Sequence, residues 1–383
     1  MKKVALYIHI PFCKQKCLYC DFPSFAGKED FMPGYAVALA KELNSIKDKK
    51  IKTIFIGGGT PTYLSLKGWK IIQKSINRLE LCDDLEFTVE GNPGTFTREK
   101  LIFLKNMGVN RISIGLQAFQ DSLLKGMGRI HTIEDFKQSF FMARDIGFDN
   151  INVDLMFGLP KQTLKQWRET LENVTELNPE HLSCYSLIVE EGTEFYKRFE
   201  KGTLDLPGEE LERTMYANTI DFLRGKGYIQ YEISNFAKDN KQCRHNLVYW
   251  EMDEYIGCGA ASHSYCDGFR YRNEENIEKY IEKMKTEVIG EEGLESEGLA
   301  IIEKTKNSLD DDMEEFMFMG LRKNIGISKS EFKQRFNKDI ENVYRKVINK
   351  YTSTGFMKET EDNIYLTYEG IEVSNVIMAE FIL

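Results

Sequence analysis

No uninterrupted stretch of about 18 apolar residues occurs in this chain, so the sequence offers nothing that would span a bilayer as a helix. Basic charge is also in short supply: Lys plus Arg number 51 against 60 for Asp plus Glu, a formal net charge of −9. That balance argues against broad electrostatic capture of nucleic acid or anionic lipid, while a local basic groove stays compatible with it. A cleavable leader is not expected either. Two lysines and an apolar run open the sequence, but His9 and Pro11 cut the run short and no small-residue cleavage site follows. The chain is therefore expected in the cytosol. Low-complexity tracts are missing, as are internal repeats beyond a strand–helix alternation. What is present is ordinary for a soluble globular protein. The 383 residues are 42% hydrophobic and 29% charged, enough for one large domain plus a small one.

The eight cysteines are distributed unevenly. A disulfide framework belongs to short secreted chains, not to a chain of this size without a leader. Cys82, Cys184, Cys243, Cys258 and Cys266 are scattered in the way of buried small hydrophobes. Cys13, Cys17 and Cys20 instead form C-x₃-C-x₂-C. Thiolates so closely spaced in a tight loop can wrap one corner of a cubane iron–sulfur cluster, and three of them leave the fourth iron open. A zinc knuckle is the competing reading. Structural zinc takes a closed set of four ligands, and His9 could complete it only if the preceding strand bent back.

Short β-rich runs alternate with amphipathic stretches through the first half. Strands are predicted at Val4–Ile10, Thr53–Ile56, Glu86–Glu90, Arg111–Leu116, Ile151–Met156 and Leu182–Ile188. Helical patterns lie at Tyr35–Ile46, Leu66–Leu79, Arg98–Met107, Ile133–Ile146, Leu164–Leu177 and Glu209–Arg224. Six βα units in series predict an α/β fold with a parallel sheet, barrel-like or doubly wound. In parallel barrels the site gathers at the C-terminal strand ends. There stand Cys13 to Cys20, Gly57-Gly58-Gly59-Thr60, Glu90-Gly91-Asn92-Pro93, Gln117 and Asp154. Beyond residue 237 the pattern turns irregular, and Glu287 to Glu297 reads as a solvated acidic linker. Helical patterns at Leu309–Leu321, Lys329–Phe336 and Ile340–Tyr351, then a hairpin over Gly355–Thr367, suggest a small winged-helix-like domain. The expected division is 1–237, 238–300 and 301–383.

Tyr7-Ile8-His9-Ile10-Pro11-Phe12-Cys13, the three-cysteine loop, Phe55-Ile56-Gly57-Gly58-Gly59-Thr60-Pro61-Thr62 and Glu90-Gly91-Asn92-Pro93-Gly94-Thr95 resemble the radical S-adenosylmethionine (SAM) superfamily. Arg111 to Gln117, Gly128-Arg129-Ile130-His131 and Asn152 to Pro160 extend the likeness to its oxygen-independent coproporphyrinogen III oxidase group. The resemblance implies a partial (β/α)6 TIM-like barrel followed by the small C-terminal domain. It also implies a [4Fe–4S] cluster on Cys13, Cys17 and Cys20, and SAM chelating the open iron and cleaved there to a 5′-deoxyadenosyl radical. Gly58, Gly59 and Thr60 resemble the loop that holds the methionyl end, and glycine lets backbone approach a ligand closely. Tyr7, Glu90, Gln117, Arg129 and Asp154 match the group's other ligand-contacting positions. Arg129 can neutralise the methionyl carboxylate.

Two activities divide this group. One is oxidative decarboxylation of coproporphyrinogen III; the other is haem carriage by the related haem chaperone family. Oxidases of the group have a further cysteine two positions after the third ligand, where Phe22 stands here. They also carry a substantial extension before the cluster loop, whereas Cys13 is near the start of this chain. Cys243-Arg244-His245-Asn246-Leu247-Val248-Tyr249-Trp250 contains H-N-x-x-Y-W, similar to the chaperone signature. By that resemblance His245 is the candidate iron ligand, and Tyr249 and Trp250 offer flat apolar area to a porphyrin. The implied partners are haem and haem-accepting proteins, with transient contact to membrane proteins and none with nucleic acid. Lys329, Lys333, Arg335 and Lys338 make one C-terminal helix modestly basic, which ordinarily marks a solvated face.

Overall fold

The computed structural model describes residues 1–285 and 300–383. The acidic stretch from Glu287 to Glu297 lies outside the described residues. β1 (Lys2–Ile10) reads as a nearly continuous apolar run, the pattern of a strand covered on both faces. It starts a parallel series with β2 (Lys49–Gly58), β3 (Glu80–Gly91), β4 (Arg111–Gln117), β5 (Ile151–Phe157) and β6 (His181–Ser186). Each predicted strand and helix of that half is found. The helices Ile133–Asp145 and Leu164–Glu176 start where Thr132 with Asp135, and Thr163 with Gln166, form reciprocal capping boxes. Trp69 and Trp167 are fully buried in the core that the helices close over the sheet.

β7 (Ile229–Glu232) and β8 (Asn235–Ala237) follow β6 antiparallel. The stretch beyond residue 237, irregular by pattern, contributes two helices, Arg244–Trp250 and Ile277–Lys285, and four further sheet strands. These are β9 (Tyr255–Cys258), β10 (His263–Cys266), β11 (Phe269–Asn273) and β12 (Ile301–Lys306). β9 pairs parallel with β1, and the rest continue antiparallel. The sheet order is β12-β11-β10-β9-β1-β2-β3-β4-β5-β6-β8-β7, and among the described residues its two edge strands do not meet. The result is an open, partial barrel. β12 is too short and too polar to announce itself by alternation, and it carries the sheet past residue 301.

The C-terminal unit has helices Leu309–Gly320, Lys329–Phe336 and Ile340–Ser353 and a small sheet of β13 (Ile327–Ser328), β14 (Met357–Glu359) and β15 (Asn363–Leu366). The three expected helices and the hairpin are found, and two short helices, Tyr368–Glu372 and Ser374–Ala379, follow them. Its core of Phe316, Phe332, Tyr344 and Phe381 also takes in Met252 and Tyr265 from the preceding stretch. The basic helix spends its charge inside the molecule: Lys329 pairs with Glu341 and Glu359, Lys333 with Asp339, and Arg335 with Asp253 and Glu331. No described helix is long and apolar enough to cross a membrane.

Candidate functional site

Parallel pairing brings the C-terminal ends of β1 to β6 to one rim, and the chain after β1 folds there as the cysteine loop. The loop is held by backbone. Cys13 N–H donates to the Phe25 carbonyl (3.0 Å), Leu18 N–H to Met127 (3.0 Å) and Phe195 N–H to Leu18 (2.9 Å). Gly59 and Thr60 reach back from β2 to the carbonyls of Ile10 (2.9 Å) and Phe12 (2.8 Å). A cavity of about 390 Å³ opens beside it, lined by Cys13, Cys17, Cys20, Gly58, Gly59, Glu90, Gln117, Arg129 and Asp154 among others.

Three sulfurs on one zinc, each about 2.3 Å from it, would stand about 3.8 Å apart. Cys13, Cys17 and Cys20 do not form a set whose ligand atoms all lie within 4.8 Å of one another. Cys13, Cys17 and Cys20 nevertheless line one cavity, as three thiolates of one cluster must. His9 does not complete a zinc set. It is 3% exposed, its Nδ1 faces the Tyr7 hydroxyl (2.9 Å), and its Nε2 faces the Pro23 carbonyl (2.8 Å).

Arg129 is fixed by two of its nitrogens. Nη1 donates to Asn92 Oδ1 (2.6 Å) and Nη2 to the Tyr19 hydroxyl (2.7 Å), while its buried Nε has no partner. Asn92 in turn donates to Thr60 Oγ1 (2.9 Å), and Thr60 donates to Cys13 Sγ (3.5 Å). The chain Tyr19–Arg129–Asn92–Thr60–Cys13 ties cation to thiol. An unpartnered guanidinium N–H beside three thiols fits a ligand that carries a carboxylate near a metal cluster. Sequence reasoning did not single out Asn92 or Tyr19. Their only signals were positions inside Glu90-Gly91-Asn92-Pro93 and between Cys17 and Cys20.

Glu90 and Asp154 face each other across the floor. Asp154 accepts from Ser113 Oγ (3.0 Å) and Asn152 Nδ2 (2.7 Å), and Glu90 accepts from the Gly58 N–H (3.3 Å). Burial, with Asp154 adding to it, pushes the Glu90 carboxyl up to about 8. Burial also raises Asp154. Gln117 ends β4 with φ 74°, left-handed and costly for a non-glycine residue, and its side chain joins the same cavity wall. A carboxyl that titrates near 4.5 when unfolded and near 8 when folded weakens the fold as pH rises through that window. Glu90→Gln is therefore expected to match the unsubstituted apo chain in urea unfolding at pH 4. At pH 9 it should exceed it by about 2 kcal/mol or more. Equal stabilities at both pH values would contradict the buried-carboxyl assignment.

Thr60 and Tyr7 stand elsewhere than expected. Thr60 lies behind the loop at 2% exposure, bracing Cys13 rather than facing the cavity. Tyr7 lines a second, larger cavity of about 690 Å³ and not the cysteine cavity. Gly58 and Gly59 line the cysteine cavity as expected, and protein neighbours also leave no room for side chains at the glycines. A Cβ at Gly57 would stand 2.6 Å from Glu90 Oε2, one at Gly59 would stand 2.8 Å from the Phe12 carbonyl, and one at Gly58 would overlap the His9 ring.

The second cavity shares Gly58, Glu90, Asp154 and Tyr185 with the first. The helix Arg244–Trp250 walls it with His245, Tyr249 and Trp250. Glu86 of β3 holds that helix by accepting from the N–H groups of Arg244 and His245, each at 2.9 Å. His245 is 1% exposed, and both ring nitrogens are engaged, Nδ1 with Thr53 Oγ1 (2.8 Å) and Nε2 with the Tyr249 hydroxyl (3.0 Å). Burial, then Arg111 and Lys52, lower its pKa to about 3, so the ring is neutral. The expected axial ligand thus has no free nitrogen in this arrangement. It pins the motif helix to the sheet, and Nε2 would reach an iron only by releasing Tyr249.

Residues 7–174 match the Radical SAM superfamily and residues 307–373 the HemN C-terminal domain. Heme chaperone HemW of Bacillus subtilis is 41% identical over 384 aligned positions, covering 99% of each chain. Heme chaperone HemW of Lactococcus lactis is 36% identical, covering 100% of this chain and 98% of its own. Among solved structures, coproporphyrinogen III oxidase (HemN) from Escherichia coli superposes with a TM-score of 0.85 over 100% of this chain and 90% of its own, at 23% identity. That likeness establishes the fold. Identity above one third along the whole length establishes the family: the chain belongs to the HemW heme chaperones of the radical SAM superfamily.

Proposed function

We propose that this chain is a haem chaperone that carries a [4Fe–4S] cluster and SAM in the cysteine cavity and haem, its cargo, in the larger cavity beside it. The observation that carries the reading is the shared wall. The helix bearing H-N-x-x-Y-W lines one cavity, Cys13, Cys17 and Cys20 line the other, and Gly58, Glu90 and Asp154 belong to both. When bound, the cluster and SAM supply one-electron chemistry at an iron that the protein leaves open. The chain's own residues do the rest. Cys13, Cys17 and Cys20 act as thiolates. Arg129, oriented by Asn92 and Tyr19, offers its spare N–H to the methionyl carboxylate. Glu90, whose carboxyl burial raises, and Asp154, which accepts from Ser113 and Asn152, face the same ligand. Tyr249 and Trp250 shield porphyrin from water. Delivery runs to haem-accepting proteins from the cytoplasm, with only transient contact to membrane-bound acceptors.

The test is a pair of measurements on one cluster-reconstituted preparation. Haem titration should saturate near one per chain. Coproporphyrinogen III, supplied with SAM and reductant, should remain unconverted. Robust formation of protoporphyrinogen IX would replace the chaperone reading with the oxidase one, whatever the titration showed.

A further inference from the structure

Buried polar atoms are almost always hydrogen-bonded, so a cluster of unsatisfied ones marks a place that water or a ligand completes. Five such atoms belong to residues lining the second cavity: Arg111 Nε, Glu232 Oε2, Asn235 Oδ1, Trp250 Nε1 and Arg322 Nε. Arg111 is the most demanding of them. Its side chain is 2% exposed, and among the described residues no carboxylate forms an ion pair with it. Glu86 and Asp154 act on it only as charges at longer range. A guanidinium cannot shed its proton, so a buried and unpaired one is strongly destabilising until an anion meets it.

The surroundings define what that anion is attached to. Tyr7, Phe55, Tyr249 and Trp250 give the cavity aromatic faces. The Arg322 guanidinium, from the C-terminal unit, lies over the Trp250 ring at 4.5 Å. Glu232 stands on the same wall, where its charge also acts on Arg322. Its Oε1 is held by the Ser234 N–H (3.0 Å) and by Asn235 Nδ2, and burial raises its pKa. A volume of about 690 Å³ takes a large flat molecule.

We propose that Arg111 and Arg322 form a carboxylate clamp that receives the propionates of the cargo, with the porphyrin face against the aromatic wall. The clamp rests on the haem reading above and assigns the recognition of cargo to its acidic edge instead of to its iron. Arg111 starts β4 and Arg322 follows the first C-terminal helix, so cargo would join the barrel to the C-terminal unit.

The test compares iron protoporphyrin IX with its dimethyl ester, in which both carboxylates are capped, on the full chain with its cluster reconstituted. The unsubstituted protein should bind the free acid at least about tenfold more tightly than the ester. Arg111→Gln should erase that preference while leaving ester affinity and cluster absorbance unchanged. Binding of neither porphyrin by the unsubstituted protein would overturn the haem reading and the clamp together. Equal binding of acid and ester, or a preference that survives in Arg111→Gln, would overturn the clamp alone. Should Arg111→Gln fail to fold, Arg322→Gln decides by the same ratio, because its side chain is only half-buried. An acid preference unchanged in that variant would equally count against the clamp.

Discussion

Cys17→Ala will yield a folded chain that can no longer hold a [4Fe–4S] cluster, and Cys13→Ala and Cys20→Ala will do the same. The loop's backbone is held largely without the sulfurs, although Cys13 Sγ also accepts from Thr60 Oγ1. Cys13, Leu18 and Cys20 are held by backbone hydrogen bonds to Phe25, Met127 and Cys17, none of which an alanine removes. What disappears is one of three thiolates, and no described side chain stands ready to replace it. His9 is spent on Tyr7 and Pro23. Visible absorbance and the paramagnetic signal of the reduced cluster should both be lost after anaerobic reconstitution, while the far-ultraviolet spectrum stays unchanged. Cys82→Ala, Cys184→Ala and Cys258→Ala serve as controls, since these three are buried thiols outside the loop. Intact four-iron clusters in all three loop variants would refute the ligand assignment.

Gly58→Val should do more damage than a ligand pocket alone would explain. Gly58 has φ 106°, where a β-branched residue is strained, and its missing side chain is the space the His9 ring occupies. Valine has to drive that ring out. The ring bridges Tyr7 on β1 and Pro23, three residues past Cys20. The damage therefore passes along β1 to the cysteine loop. Backbone strain and overpacking together should cost roughly 2–5 kcal/mol in urea unfolding of the apo chain. Cluster incorporation should fall as well. If stability and cluster content were normal and SAM binding alone suffered, glycine would be there for the ligand and not for His9.

The alternation of apolar strands and amphipathic helices, the caps at Thr132 and Thr163, and the spacing of Cys13, Cys17 and Cys20 are all short-range features. A strand buried on both faces is apolar along most of its length, and thiolates spaced as closely as Cys13, Cys17 and Cys20 can share a cluster from within one loop. Each constraint is met by residues adjacent in the chain, so the six βα units and the cysteine loop were legible in the pattern, while the choice of a partial barrel came from the resemblance. The stretch beyond residue 237 was not. β9 to β12 are short and mixed in character, and they become strands because β1 leaves an open edge for β9 to pair with. Nor could the sequence say that His245 would have both nitrogens occupied, because Thr53 is 192 positions away. The second cavity is a still clearer case. Glu232, Asn235 and Arg322 follow no spacing and read as ordinary surface or strand residues, and the motifs that contain Arg111 and Trp250 do not show that the two share a cavity wall. Whether a charged group finds a partner is settled only when every element around it has packed. The sequence determined the family of chemistry this protein can hold, and the tertiary structure decided where a buried charge is left waiting for a ligand.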